Sequence, residues 1–101
     1  MGFWQDGELW GTLRVDFLDD ETGALRLVAI EPRLQRRGIG RKMIVAAEQL
    51  ISRAGRRRIV TNAAIDAVKF YSRLGYEEAH WNDPGEGAGA PIVPMQKQLG
   101  T

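Results

Sequence analysis

The sequence predicts an α+β fold, a sheet carrying two helices, built as one domain over residues 1–101. Residues 8–17 alternate apolar and polar side chains with the period of a half-buried strand. Residues 39–54 instead repeat their apolar side chains at spacings of three and four, the pattern of an amphipathic helix. Glycine-bearing turns separate such segments, and no linker is long enough to divide the chain into two domains.

Phe3 to Gln5 and Leu9 to Leu18 read as two strands joined at Asp6-Gly7, a tight-turn dipeptide. In the second, Leu9, Gly11, Leu13, Val15 and Phe17 form the expected buried face, and Glu8, Trp10, Thr12, Arg14 and Asp16 the wetter one. Asp19 to Gly23 is polar and reads as a hairpin loop, and Ala24 to Ile30, more continuously apolar, as a central third strand. The first helix opens at Gly38 or Ile39, turns Ile39, Met43, Ala47, Leu50, Ile51 and Ala54 to one side, and stops at Gly55. Arg57 to Asn62 is rich in β-branched residues and reads as the fourth strand. Asp66 is placed to cap a second helix reaching Leu74, which Gly75 ends. Tyr76 to Trp81 reads as a strand and Asn82 to Ala90, with Pro84, Gly85, Gly87 and Gly89, as a loop. Ile92 to Leu99 alternates again and closes the order β-β-β-α-β-α-β-β.

Composition narrows the function classes. Apolar residues make up 44% and charged residues 27%, the balance of an ordinary globular protein. No apolar run spans a bilayer and no basic, then apolar, leader opens the chain, so the expected location is cytoplasmic, away from membranes. With no cysteine there is no disulfide, thiolate metal site or cysteine nucleophile, and no metal is expected. The net charge of +1 hides an asymmetry. Residues 1–21 hold six acids and one base, whereas residues 33–58 hold nine of the fourteen bases and one acid, Glu48. The balanced total speaks against general nucleic-acid binding, and the local block favours one anionic ligand. For Arg53 to Arg58 a solvated basic face is the competing reading.

The block contains a strand, then Pro32, then Gln35-Arg36-Arg37-Gly38-Ile39-Gly40, then a helix start. A glycine-bearing turn feeding a helix N-terminus presents unpaired N–H groups at the positive end of the helix dipole. Glycine lets a ligand approach the backbone, and Arg36, Arg37, Arg41 and Lys42 add full charges. Such a turn fits a phosphate.

The same hexapeptide resembles the Q/R-x-x-G-x-G/A signature of the GCN5-related N-acetyltransferases, the GNAT superfamily. Downstream, Ala67-Val68-Lys69-Phe70-Tyr71-Ser72-Arg73-Leu74-Gly75-Tyr76 resembles the A-x-x-F-Y-x-x-x-G-F/Y signature of that family's later helix. The resemblance covers nearly the whole chain and points to a short, bacterial-type member without the family's usual first strand and first two helices. It implies a central mixed sheet flanked by helices and direct acetyl transfer from acetyl-CoA to a primary amine in a ternary complex.

The resemblance also assigns roles. Gln35, Arg36, Arg37, Gly38, Ile39, Gly40 and Arg41 would hold the pyrophosphate, with Gln35 closing the turn, and Arg37 or Arg41 is alternatively placed for the 3′-phosphate. The third strand at Val28, Ala29 and Ile30 would splay from the fourth and admit the pantetheine arm, with Phe70 beside it. Asn62 would either cap its strand end or bond the same arm. Tyr71 would protonate the departing thiolate. No general base is evident: the histone-acetylating branch has a glutamate eleven residues before the glutamine, where this chain has Ala24, and Glu31, Glu21 and His80 are the remaining candidates. Trp4, Trp10 and Trp81 are candidates for an acceptor or subunit surface, with core packing the default for at least one. Two alternatives stand beside the enzyme: a CoA-holding or protein-interaction module, and a nucleic-acid binder using the arginine-rich helix ends. Exposed strand edges in so small a chain suggest a homodimer.

Overall fold

The computed structural model describes residues 2–5, 7–30, 38–83 and 91–100, with backbone only for Gln5, Leu27, Val28 and Ile30. The elements are β1 (Gly2–Gln5), β2 (Glu8–Phe17), β3 (Thr22–Ile30), α1 (Ile39–Arg53), β4 (Arg58–Ala64), α2 (Val68–Arg73), β5 (Glu77–Glu78) and β6 (Ile92–Gln98), with a 3-10 turn at Ile65–Ala67 before α2. They form one sheet of order β1-β2-β3-β4-β6-β5. Every neighbouring pair is antiparallel except β3 and β4, which are parallel and connected through α1. This is the mixed α+β sheet with helices that the sequence predicts.

The α1 face of the sheet holds the main core. Met43, Ile44, Ala47 and Ile51 of α1 are fully buried with Leu13, Leu25, Ile59, Met95 and Tyr71. Each large apolar side chain so buried contributes roughly 1.5–3 kcal/mol. The helix lies close because β2 offers no side chain beneath it at Gly11: a Cβ there would stand 2.5 Å from the Met43 sulfur and 2.9 Å from the Ala29 carbonyl oxygen. Gly11 pairs with Ile30 at one end of β3, while Ile51 packs on Gly23 at the other. The N-terminus of α1 therefore lies over the C-terminal end of β3.

The opposite face carries a smaller cluster, in which Trp81 packs on Ala24 and Val60 with Leu18 at its border. The segment bearing Trp81 leaves the sheet early. Of the strand expected over Tyr76 to Trp81, only Glu77–Glu78 pairs with β6. Pro94 supplies the reason: its carbonyl accepts from the Ala79 amide at 2.9 Å, but it has no N–H to continue the ladder.

Three smaller expectations change as well. Asp66 does not cap α2, because the chain leaves β4 through the 3-10 turn that contains it, and α2 has Ala67 at its N-cap without a side-chain bond. Leu9 and Phe17 are exposed, since they stand at the ends of β2, outside the main cluster. Trp10, expected on the wetter face, packs against that cluster instead. The register of β1 on β2 shifts between Phe3 and Trp4, leaving Trp10 as an extra residue that breaks the alternation. Trp4 is 67% exposed, so the three tryptophans have three different surroundings.

Candidate functional site

The parallel pairing of β3 and β4 is short. It runs from Thr22 opposite Arg58 to Leu25 opposite Thr61, and ends there. Beyond that point β3 stays paired to β2 as far as Ile30, and β4 stays paired to β6 as far as Ala64. The two strands keep their outer partners and lose each other, so a gap opens between residues 26–30 and residues 62–64. Backbone groups on its two edges have no ladder partner across it, which makes it a place for an extended polar ligand to pair as a strand does.

The edge formed by β3 is irregular. Thr12 pairs with Ala29 and Arg14 with Arg26, so residues 27 and 28 stand opposite the single residue Leu13. A bulge of this kind turns backbone groups out of the ladder direction. The irregularity adjoins Val28, Ala29 and Ile30, the residues to which the family resemblance gives a binding backbone.

At the branch point, Thr61 donates its hydroxyl proton to the Leu25 carbonyl at 3.2 Å. The Tyr71 hydroxyl lies near enough to the same Thr61 side chain to feel its polarity. Edge-on contacts with Phe70 at 5.2 Å and Tyr76 at 5.3 Å fix the Tyr71 ring. Burial pushes the Tyr71 phenol above its ordinary value, against a smaller opposing effect of the Thr61 hydroxyl. The phenol therefore stays protonated at neutral pH, a donor held at the mouth of the gap.

Tyr76 is anchored from the other side. Its hydroxyl donates to Glu48 of α1 at 2.7 Å, and Lys97 of β6 reaches both Glu48 oxygens at 3.2 Å. Burial first, and then Glu48, raise the Tyr76 phenol far beyond its usual range.

Helix α1 brings its N-terminus to the same end. Gly38 is its N-cap, at φ 77°, and makes no side-chain cap bond. No acid stands in the first turn of α1. Ile39 and Gly40 are buried, whereas Arg41 and Lys42 are exposed. Among the described residues, a side chain at Gly38 would meet nothing within 4 Å. Gln35, Arg36, Arg37 and Glu31 lie outside the described residues.

The far face of the gap has its own chemistry, in which the sequence pointed to Asn62 and Trp81 but not to Arg26 or Asp83. Arg26 gives two hydrogen bonds to Asp83, at 2.9 and 2.7 Å, and Asn62 gives one to the same carboxylate at 2.7 Å. The Trp81 indole donates to the Thr61 carbonyl at 3.2 Å. A cavity of about 390 Å³ runs from Asp83 and Asn82 past Trp81 to Leu18, Asp19, Thr22 and Arg58. His80 and Glu21 are exposed, and neither is part of this arrangement. Among the described residues no three acidic, histidine or cysteine side chains gather as a metal site, and no helix is long and apolar enough to cross a membrane.

The arrangement offers an extended polar ligand a gap between diverging strands beside an exposed helix start. The acetyltransferase (GNAT) domain model matches residues 1–99. An inferred N-acetyltransferase from Lactobacillus plantarum is similar in structure, with a TM-score of 0.82 and 28% identity over 94% of this chain and 64% of that one. The chain thus spans less than two thirds of that relative's length. An N-acetylglutamate synthase from Neisseria gonorrhoeae, complexed with coenzyme A and N-acetyl-glutamate, gives a TM-score of 0.82 at 17% identity over 96% of this chain and 24% of that one. A GNAT family acetyltransferase from Elizabethkingia anophelis with acetyl-CoA bound gives 0.80 at 14% identity, over 95% and 72%. The last two likenesses concern the fold alone.

Proposed function

Because the chain belongs to the GNAT acetyltransferase family, we propose that it transfers an acetyl group from acetyl-CoA to a primary amine by direct attack. The observation that carries this reading is the early end of β3–β4 pairing at Leu25 and Thr61, with the buried Tyr71 phenol near Thr61 at that point. In this reading the pantetheine arm occupies the gap beside Phe70. The backbone of Val28, Ala29 and Ile30, at and just beyond the bulge, orients the thioester carbonyl, and Gln35 to Arg41 bind the pyrophosphate at the start of α1. The neutral amine nitrogen attacks the carbonyl carbon, and the carbon–sulfur bond breaks as Tyr71 gives its proton to the leaving sulfur. The proton that nitrogen sheds on becoming an amide passes to water, and Tyr71 is reprotonated from water before the next turnover. Orientation and fixed donors supply most of the acceleration.

The acceptor enters from the face bearing Trp81, since α1 and Tyr71 fill the other. A homodimer formed through an exposed sheet edge accompanies this reading. Light scattering at micromolar concentration tests it, and a monomer overturns it.

The functional test is release of CoA thiol from acetyl-CoA in the presence of a panel of primary amines. The chain contains no cysteine to react with the thiol reagent. Amine-dependent release, with the acetylated amine seen by mass spectrometry, supports the enzyme. Acetyl-CoA binding without transfer to any amine would make the domain a CoA-holding module.

A further inference from the structure

The first residues beyond the last β3–β4 pair are Arg26 and Asn62, and one carboxylate takes both. Asp83 accepts from the Arg26 guanidinium at 2.9 and 2.7 Å and from the Asn62 amide at 2.7 Å. Arg26 also donates through Nε to Asp16 of β2, at 2.9 Å. Three adjacent strands, β2, β3 and β4, are thereby tied at the level where two of them separate. Trp81 lies two residues before Asp83, bonds the Thr61 carbonyl, and has the Arg26 guanidinium 5.6 Å from its ring centroid. The Arg26 and Asp83 side chains are only 14% and 8% exposed.

An ion pair this buried is a poor source of net stability, because desolvation offsets most of the attraction. Its fixed, forked geometry is another matter: a bidentate arginine–carboxylate pair defines both distance and angle. Here that geometry spans the branch point. We propose that Asp83 is a positioning residue, a latch that fixes the angle at which β3 leaves β4 and so the distance between the acyl carbonyl and Tyr71. The inference rests on the acetyltransferase reading for its purpose, but the latch itself is a property of the protein without ligand. Residues 28–30, which hold the carbonyl in that reading, lie two to four positions beyond Arg26 on the same strand. A small rotation at Arg26 moves them directly, whereas the start of α1 is held separately by Met43 in the main core.

Two variants test the latch. Asp83→Asn keeps the shape and removes the charge, and Asn62→Ala frees the β4 arm alone while leaving the ion pair in place. Amide hydrogen exchange is followed on the peptides covering residues 24–30 and 60–65 of the ligand-free protein, and steady-state kinetics are measured on the same samples. Both variants are expected to exchange faster in these two segments and at the wild-type rate in α1. A 1 Å displacement of reacting groups costs on the order of 10²-fold, so kcat should fall by about that factor for Asp83→Asn while KM for acetyl-CoA stays within about twofold. Unchanged exchange in both segments overturns the latch, and so does altered exchange with unchanged kcat. If Asp83→Asn does not fold, Asn62→Ala decides by the same readings. A wild-type protein that transfers to no amine removes the enzymatic reading, and with it the positioning role, whereas wild-type turnover with a silent latch removes the latch alone.

Discussion

Replacing Tyr71 by phenylalanine removes one oxygen atom and leaves nearly everything else in place. The ring keeps its edge-on contacts with Phe70 and Tyr76, and Thr61 keeps its bond to the Leu25 carbonyl. Only the hydroxyl beside Thr61 is lost, which costs at most about 1.5 kcal/mol of stability, so the domain stays folded. Acetyl-CoA affinity should be within about twofold of wild type, because the phenol contributes to departure of the sulfur rather than to binding. Turnover should fall by about 10²–10⁴, the range for a positioned general acid. At about 1.36 kcal/mol per tenfold, that is roughly 2.7–5.4 kcal/mol of lost transition-state stabilisation. The assay is single-turnover CoA release with saturating acetyl-CoA and amine, which keeps product release out of the rate. Since burial raises the Tyr71 phenol above 10.0, wild-type activity should show no falling limb from this group below about pH 10. A Tyr71→Phe protein that retains its single-turnover rate within about threefold would refute the assignment of Tyr71 as the acid.

Other perturbations separate site from scaffold. Gly38→Ala forces a side chain into the left-handed region at φ 77°, where it meets none of the described residues. It should cost about 1–2 kcal/mol of stability, read by urea denaturation, and should weaken acetyl-CoA binding by calorimetry; stability lost with affinity intact would remove the phosphate role of this turn. Gly11→Ala drives a Cβ against the Ala29 carbonyl and the Met43 sulfur, and should cost about 1–3 kcal/mol through overpacking. An unchanged urea midpoint would contradict the close approach of α1. Tyr71 and Tyr76 both have phenols raised above 10.0 on folding. The folded state then binds more protons than the unfolded one above about pH 10, so stability is fully present below that pH and declines as pH rises beyond it. Tyr76→Phe should make this alkaline decline shallower in thermal melts between pH 9 and 11, and an unchanged slope would contradict the burial of Tyr76.

Much of this architecture was legible in the sequence because it rests on local signals. The alternation of β2, the three-and-four spacing of α1 and the glycines at positions 55 and 75 each act over a few residues, and each element stands where they indicate. Tyr71 was named from the resemblance of residues 67–76 to a family signature. Residues joined only by the fold were not legible. Arg26 and Asp83 are 57 positions apart and look like two ordinary surface charges until Trp81 carries its segment across the sheet. Thr61 is equally silent in the sequence, yet it marks where the strands divide. The shortness of β5 follows from Pro94, a residue of the partner strand, which a reading of Tyr76 to Trp81 alone cannot include. The exposure of Phe17 belongs to the same class: its partner is the Arg56 guanidinium, 4.5 Å above the ring and beyond α1 in the chain.

The central claim is that the gap between β3 and β4, together with the start of α1, is a site for a CoA thioester. Isothermal titration of the folded protein with acetyl-CoA tests it most directly, with free CoA and ATP as companions. The account predicts one-site binding of both CoA compounds and much weaker binding of ATP, which has phosphates for the helix start but no arm for the gap. Absence of heat with acetyl-CoA, or equal affinity for ATP, would contradict it.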